Sequence, residues 1–244
     1  MQSFNELKKE FLSKFKSLDY SKNKAEKWSD FIFLSAAALK NSIKLVSPSY
    51  YCQKVEDEYL NIVKKYKRES INIFAELLSI FVLMADKKEP CDILGDIFME
   101  LELSDAWKGQ FFTPSSVSDL MAQIELSDIK NRLETNRYLS FNDPACGAGS
   151  TLLACVKVFT GNNINPAKKM FVYGQDIDRT AALMCYIQLS LWNVPAIIAV
   201  GDSLKNQIRE LWHTPVFAMN PTYFKDFFEK KIDTSKFLLI GEPY

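Results

Sequence analysis

Glycine is missing from the first 94 residues of this 244-residue chain, and proline occurs there only at Pro48 and Pro90. With so little punctuation, helical periodicity fills the region. Phe4–Phe15, Lys22–Ile43 and Tyr50–Lys67 read as amphipathic helices. Ile71–Asp86 is apolar on most faces and reads as a buried helix. Net charge is also lacking: thirty basic residues balance thirty acidic ones, which argues against a protein that holds nucleic acid by bulk charge alone. Histidine occurs once, as His213, with no Cys or Asp partner pattern around it, so it reads as structural. Five cysteines form no CxxC or His-paired spacing, which leaves no metal motif and suggests reduced thiols in a cytoplasmic protein. A secretory signal is not expected from the charged stretch Met1–Glu10. The most apolar run, Ile71–Ala85, carries Glu76 and is too short to cross a bilayer, so no membrane partner is expected.

What is present begins at Gly95. Hydrophobic residues at 48% and charged residues at 25% are ordinary globular values, and the later chain alternates short β-branched and aromatic runs with helical patterns. Tyr138–Asn142, Met170–Gln175, Ala196–Val200, Val216–Met219 and Phe237–Ile240 read as strands. Thr151–Phe159, Arg179–Trp192 and Lys205–Leu211 read as the helices between them. This alternation predicts a parallel sheet with right-handed crossovers. The expected architecture is α/β: a helical domain over residues 1–107, then a Rossmann-like domain over 108–244. Residues 1–94 carry 16 basic and 13 acidic side chains against 14 and 17 in the remainder, a mild asymmetry that would put any basic surface facing nucleic acid on the helical part. The run Lys64–Arg68, with Tyr66 interleaved, reads as a solvated helix end.

Ligands of such sheets bind beyond the carboxyl ends of the strands. The first strand leads into Asp143-Pro144-Ala145-Cys146-Gly147-Ala148-Gly149-Ser150 and a helix, where glycines admit close backbone approach and free N–H groups suit an anion. The spacing is neither GxGxxG nor a P-loop. Cys146 reads as a small packed residue rather than a nucleophile. The second strand ends in Gly174-Gln175-Asp176-Ile177-Asp178: Asp176 suits a ribose diol, and Asp178 caps the next helix. The third ends in Gly201-Asp202-Ser203-Leu204, the fourth in Asn220-Pro221-Thr222-Tyr223.

These loops, together with Gly109-Gln110-Phe111-Phe112-Thr113-Pro114, resemble the ordered motifs of N6-adenine DNA methyltransferases, above all the methylase subunits of type I restriction systems and short phage and plasmid methylases. Asp92–Pro114 resembles the helix leading into the family's GQFFTP motif. The resemblance implies an S-adenosylmethionine-binding fold and methyl transfer to an adenine turned out of the DNA stack. On that resemblance, Gln110, Phe111, Phe112, Thr113 and Pro114 would line the methionine end of the cofactor. Thr113-Pro114 also reads as an N-cap with proline in the first helical turn. Asp143, Ala145, Cys146, Gly147 and Gly149 would cradle the methionine moiety. Asp176 would bind the ribose, Ile177 one adenine face, and Asp202 with Ser203 the adenine edge. Asn220, Pro221 and Tyr223 would be catalytic, with Asn220 also near the cofactor. The Asn220 oxygen and Pro221 carbonyl would accept the amino hydrogens and Tyr223 would stack on the extruded base.

Two features depart from the family pattern. Thr222 replaces a second proline and leaves the loop less preorganised. Only 21 residues follow Tyr223, too few for the family's last strands. Gly241-Glu242-Pro243-Tyr244 lacks the acceptor and reads as a decoy. The expected function is adenine-N6 DNA methylation in a restriction–modification or mobile-element setting. Partners would be DNA, a specificity subunit, a second methylase chain, or a second copy of this chain. The alternative is a cofactor-binding but catalytically weak or inactive module that regulates or assembles with an active enzyme. Methylation of RNA bases or of protein glutamine would use a similar loop.

Overall fold

A computed structural model describes residues 2–18, 23–103 and 113–225. The amino-terminal half is helical, as its periodicity predicts. α1 (Phe4–Ser17) opens with a reciprocal capping box between Ser3 and Glu6 and buries Leu7, Phe11 and Phe15, one turn apart on one face. α2 (Lys24–Asn41) is capped by the Asn23 side chain and buries Trp28, Phe31 and Ile32. α3 (Gln53–Val63) follows a single turn of 3-10 helix at Pro48–Tyr50, so the helix expected from Tyr50 starts later. α4 (Arg68–Asp86) buries Phe74, Leu77, Phe81 and Met84, but Val82 and Leu83 are exposed; it is buried on one side only. In the basic run, the four cations are exposed while Tyr66 turns inward. Its hydroxyl donates to Asp30 at 2.6 Å and its ring packs edge-on against Phe74. α5 (Ile93–Glu100), α6 (Ser115–Glu125) and α7 (Ile129–Thr135) lead to the sheet.

Among the described residues the sheet has four strands in the order β1 (Leu139–Asp143), β2 (Met170–Asp176), β3 (Ala196–Asp202) and β4 (Gln207–His213). β1, β2 and β3 are parallel, joined by α8 (Ser150–Gly161), the short α9 (Pro166–Lys169) and α10 (Arg179–Leu191). β4 runs antiparallel to β3, with Ile197 opposite His213 and Asp202 opposite Gln207.

Two expectations are corrected here. Lys205–Leu211, read as a helix, lies in the β3–β4 turn and in strand β4. The cause is turn chemistry: the Asp202 carboxylate accepts from the Leu204 and Lys205 N–H groups, and Asn206 takes a left-handed φ of 51°. The chain therefore reverses tightly instead of crossing over. Val216–Met219, read as a strand, belongs to α11 (Pro215–Met219). Pro215 has no N–H for a ladder and its fixed φ suits a first helical turn. The strand expected at Phe237–Ile240 and the Gly241–Tyr244 segment lie outside the described residues.

Strand alternation sends side chains to two faces. Met170, Val172, Ala196, Ile198 and Val200 join α8, α10 and the amino-terminal helices in one continuous core. α2 packs along α10, and Ser29 meets Thr180 hydroxyl to hydroxyl at 2.9 Å. Arg179 forks onto Glu58 at 2.6 and 2.9 Å and also pairs with Glu210 at 2.9 Å. The helical and α/β regions thus share one core, and the 107/108 boundary falls among residues outside the description. The opposite face carries a smaller aromatic cluster of Phe171, Ile197, Phe217 and Phe224. No helix among the described residues is long and apolar enough to cross a membrane.

Candidate functional site

The carboxyl ends of β1, β2 and β3 lie side by side, with Asp143 beside Gly174 and Asp176 beside Val200 in register. The loop after β1 is held by its own residues. Asp143 accepts from the Ala145 N–H at 3.1 Å with one oxygen and from the Thr151 hydroxyl at 2.6 Å with the other. Cys146 N–H donates to the Gln175 carbonyl at 2.9 Å, which ties the loop to β2. Gly147 and Gly149 have φ of 53° and 96°, the left-handed region that glycine enters freely. A Cβ on Gly149 would stand 2.8 Å from Cys185 Sγ, so bulk is excluded there twice over. α8 starts at Ser150, and its first helical bond runs from Leu153 N–H to the Gly149 carbonyl. The N–H groups of the first turn are therefore free of intrahelical partners.

Asp176, nearly buried, closes the cleft from β2. One carboxylate oxygen accepts from Gly147 N–H at 2.8 Å and the other from Asp178 N–H at 2.8 Å. Burial pushes its pKa above the ordinary carboxylate value, opposed by those two backbone donors. Each oxygen keeps a further lone pair, so the group can still accept from a diol. Ile177 beside it is 60% exposed, an apolar side chain left facing solvent at the strand tip. Its carbonyl accepts from the Arg209 guanidinium. Asp178 caps α10 through the Ala181 N–H at 2.8 Å, the role expected of it. Asp202 spends one oxygen on the β3–β4 turn and pairs with Lys205 at 3.4 Å through the other. The Lys205 N–H, as the leading cause, holds its pKa below the usual value. Ser203 is half-buried in the same turn.

Thr113 reaches the site from outside the sheet. Ser150 Oγ donates to the Thr113 carbonyl at 3.2 Å and meets Ser118 Oγ of α6 at 2.9 Å. Pro114 stands just before α6, one residue off the expected first-turn position, and no side chain caps that helix. Gln110, Phe111 and Phe112 lie outside the described residues. Cys146 is buried, its sulfur near Gly174, consistent with a packing role.

Asn220, Pro221 and Tyr223 are not brought to this end. β4 returns the chain to the amino end of β3, where Thr214 Oγ1 donates to the Val194 carbonyl at 2.8 Å and accepts from Ala196 N–H at 2.9 Å. α11 and a 3-10 turn at Pro221–Phe224 follow at that amino end. Tyr223 lies 6.4 Å from Tyr138, the residue preceding β1, with the Arg137 guanidinium 3.7 Å from its ring. Phe224 packs on Tyr138 and Phe171. Asn220 is exposed. The antiparallel β4 is the physical reason the fourth loop parts from the other three. His213 is enclosed by Tyr50 at 4.9 Å and Phe217 at 5.6 Å, and burial, with Lys40 nearby, pushes its pKa down to about 3. Thr151 and Arg209 were not singled out from sequence. Thr151 had a signal, a hydroxyl in the first turn after the glycine loop; Arg209 had none before β4 was known.

The sequence model of the family described as N-6 DNA Methylase matches residues 91–241, more than half of the chain. The chain belongs to the N-6 DNA methylase family. The match to this methylase family begins at α5, within the helical region. The chain is 25% identical over 166 residues to the type I restriction enzyme MjaVII methylase subunit of Methanocaldococcus jannaschii, covering 65% of this chain and 26% of that protein. It is 32% identical over 127 residues to the MpnII methylase subunit of Mycoplasma pneumoniae, covering 48% and 21%. The chain spans about a quarter of the length of the curated relatives it matches. Among solved structures, the type I restriction-modification methyltransferase subunit of Streptococcus thermophilus aligns with a TM-score of 0.46 at 14% identity, covering 84% of this chain and 60% of that one.

Proposed function

We propose that this methylase-family chain binds S-adenosylmethionine at the carboxyl ends of β1–β3 and serves methyl transfer to the N6 amino group of adenine in DNA, within a restriction–modification system. The observation that carries the reading is the Gly147–Asp176 hydrogen bond between two adjoining strand-end loops, beside the free first turn of α8. The residues fit the cofactor. Gly147 and Gly149 leave a side-chain-free cradle, the α8 N–H groups suit its carboxylate, and Asp176 retains acceptors for its ribose hydroxyls. Ile177 offers an exposed apolar surface to the adenine, and Asp202, whose second oxygen meets the exposed Lys205 ammonium, can accept from the purine edge. Bound there, the cofactor supplies an activated methyl on a sulfonium. Cys146 fills the loop's underside and acts as no nucleophile.

This reading requires the Asn220 segment to leave the amino end and come over the cofactor, where Asn220 and the Pro221 carbonyl would accept the hydrogens of the target amino group and Tyr223 would stack on the base. These acceptors favour an amino geometry in which the nitrogen lone pair points at the methyl. DNA, with a specificity subunit or another methylase chain, is the proposed partner set. The amino-end position of Asn220–Tyr223 favours a second reading: a cofactor-binding module whose partner chain performs the transfer. Single-turnover transfer of labelled methyl to an oligonucleotide with a mismatched adenine separates them, because that base leaves the stack cheaply. Transfer abolished by Asn220→Ala supports the first reading. Silence of the wild type, with cofactor bound and a specificity subunit present, supports the second.

A further inference from the structure

Gln188 lies in the middle of α10, fully enclosed among apolar neighbours such as Ile187 and Leu189. Its side chain joins three elements. Oε1 accepts from Leu94 N–H at 3.1 Å; Nε2 donates to Asp92 Oδ1 at 2.9 Å and to the Ala148 carbonyl at 2.8 Å. Asp92 is itself buried and caps α5 by accepting from Gly95 N–H at 2.7 Å. A primary amide has two N–H donors and one carbonyl, and each is used here. Glutamate at 188 would lack both donors, and methionine would lack donors and acceptor alike. Ala148 sits between the two left-handed glycines, so its carbonyl is the point by which the loop can be held from below. Orienting that carbonyl also orients the N–H of the same planar peptide unit, that of Gly149, which donates to the Cys146 carbonyl at 2.8 Å.

We propose that Gln188 is a positioning residue for the cofactor loop, holding the Ala148 carbonyl and tying the glycine turn to the start of α5, so that α5 and the cofactor cradle order together. The proposal rests on the loop being the cofactor site.

The test separates positioning from stability. Asp92→Asn/Gln188→Glu exchanges donor and acceptor: the two bonds that now share Asp92 Oδ1 are divided, the Asn oxygen facing Gly95 and its amide nitrogen turning to the carboxylate at 188, and nothing donates to Ala148. At pH 8 this double variant is expected to unfold a few degrees below the wild type, because the Ala148 carbonyl is left unpaired, and to stay folded at the temperature of the titration. It should bind S-adenosylhomocysteine about tenfold or more weakly by calorimetry, the scale of one lost buried hydrogen bond. Wild-type affinity in the folded double variant would overturn the proposal. A second measurement needs no variant: in the wild type, S-adenosylhomocysteine should slow amide exchange in peptides spanning 92–97 as well as 145–152. Protection of 145–152 alone would also overturn it. A wild type that binds no S-adenosylhomocysteine would overturn the cofactor reading, and this proposal with it.

Discussion

The two ends of the sheet are built differently. At the carboxyl end, glycines, carboxylates and helix-start N–H groups meet, and polar atoms are held by backbone while keeping acceptors to spare. At the amino end, Tyr138, Phe171, Phe217, Tyr223 and Phe224 stack into an aromatic cluster with Arg137 over its rim. The first arrangement is that of a polar ligand site; the second is that of a packed surface. The difference teaches that motif order along a chain does not alone assemble a site. One antiparallel strand is enough to send a motif to the far end.

The largest effect expected from breaking the carboxyl end is at Gly149. Gly149→Val combines a positive φ with a clash against Cys185, and should cost about 3 kcal/mol or more of stability and abolish cofactor binding; denaturant unfolding and calorimetry read both. Next is the Asp92 junction beneath the glycine loop. Burial pushes its pKa up to about 6, well above its unfolded value near the ordinary Asp figure of 3.8. The folded state therefore binds the proton more tightly. Its stabilising effect is fully present below about pH 4 and is lost as pH rises to about 6, a change of about 2–3 kcal/mol. Denaturant unfolding across that range should show a wild-type decline that Asp92→Asn flattens. A smaller effect is expected for Asp202→Ala, a modest weakening of cofactor affinity together with a loosened β3–β4 turn, checked by titration and unfolding together. The smallest belongs to the amino end: Arg137→Ala removes a partly exposed cation–π contact, lowers stability by about 0.5–1 kcal/mol and leaves cofactor affinity unchanged.

The same contrast separates what was legible in the sequence from what was not. The three strand-end loops were legible because each pairs a hydrophobic run with glycine or aspartate at its tip, and β1–β3 carry that pattern plainly. Asp178 as a cap, Cys146 as filler and His213 as structural followed from their neighbours. β4 was not legible because Gln207–His213 mixes polar and apolar residues without clean alternation, and its strand state depends on a turn set by Asp202 and Asn206. The strand reading of Val216–Met219 weighed β-branched and aromatic content and passed over Pro215, which stops a ladder and starts a helix. Gln188 was hidden inside an apolar helix. Its partners lie 94 and 96 positions back in the chain, on α5 and its cap, and 40 back, in the glycine loop, and no periodicity joins those.

The central proposal, that the cofactor is held at the carboxyl ends of β1–β3 without the Asn220 segment, is tested most directly by calorimetric titration of S-adenosylmethionine into the wild type, Asp176→Ala and Asn220→Ala. The account predicts binding by the wild type, a loss of tenfold or more in Asp176→Ala, roughly the value of hydrogen bonds to a charged acceptor, and unchanged affinity in Asn220→Ala. No wild-type binding, or equal losses in the two variants, would contradict it.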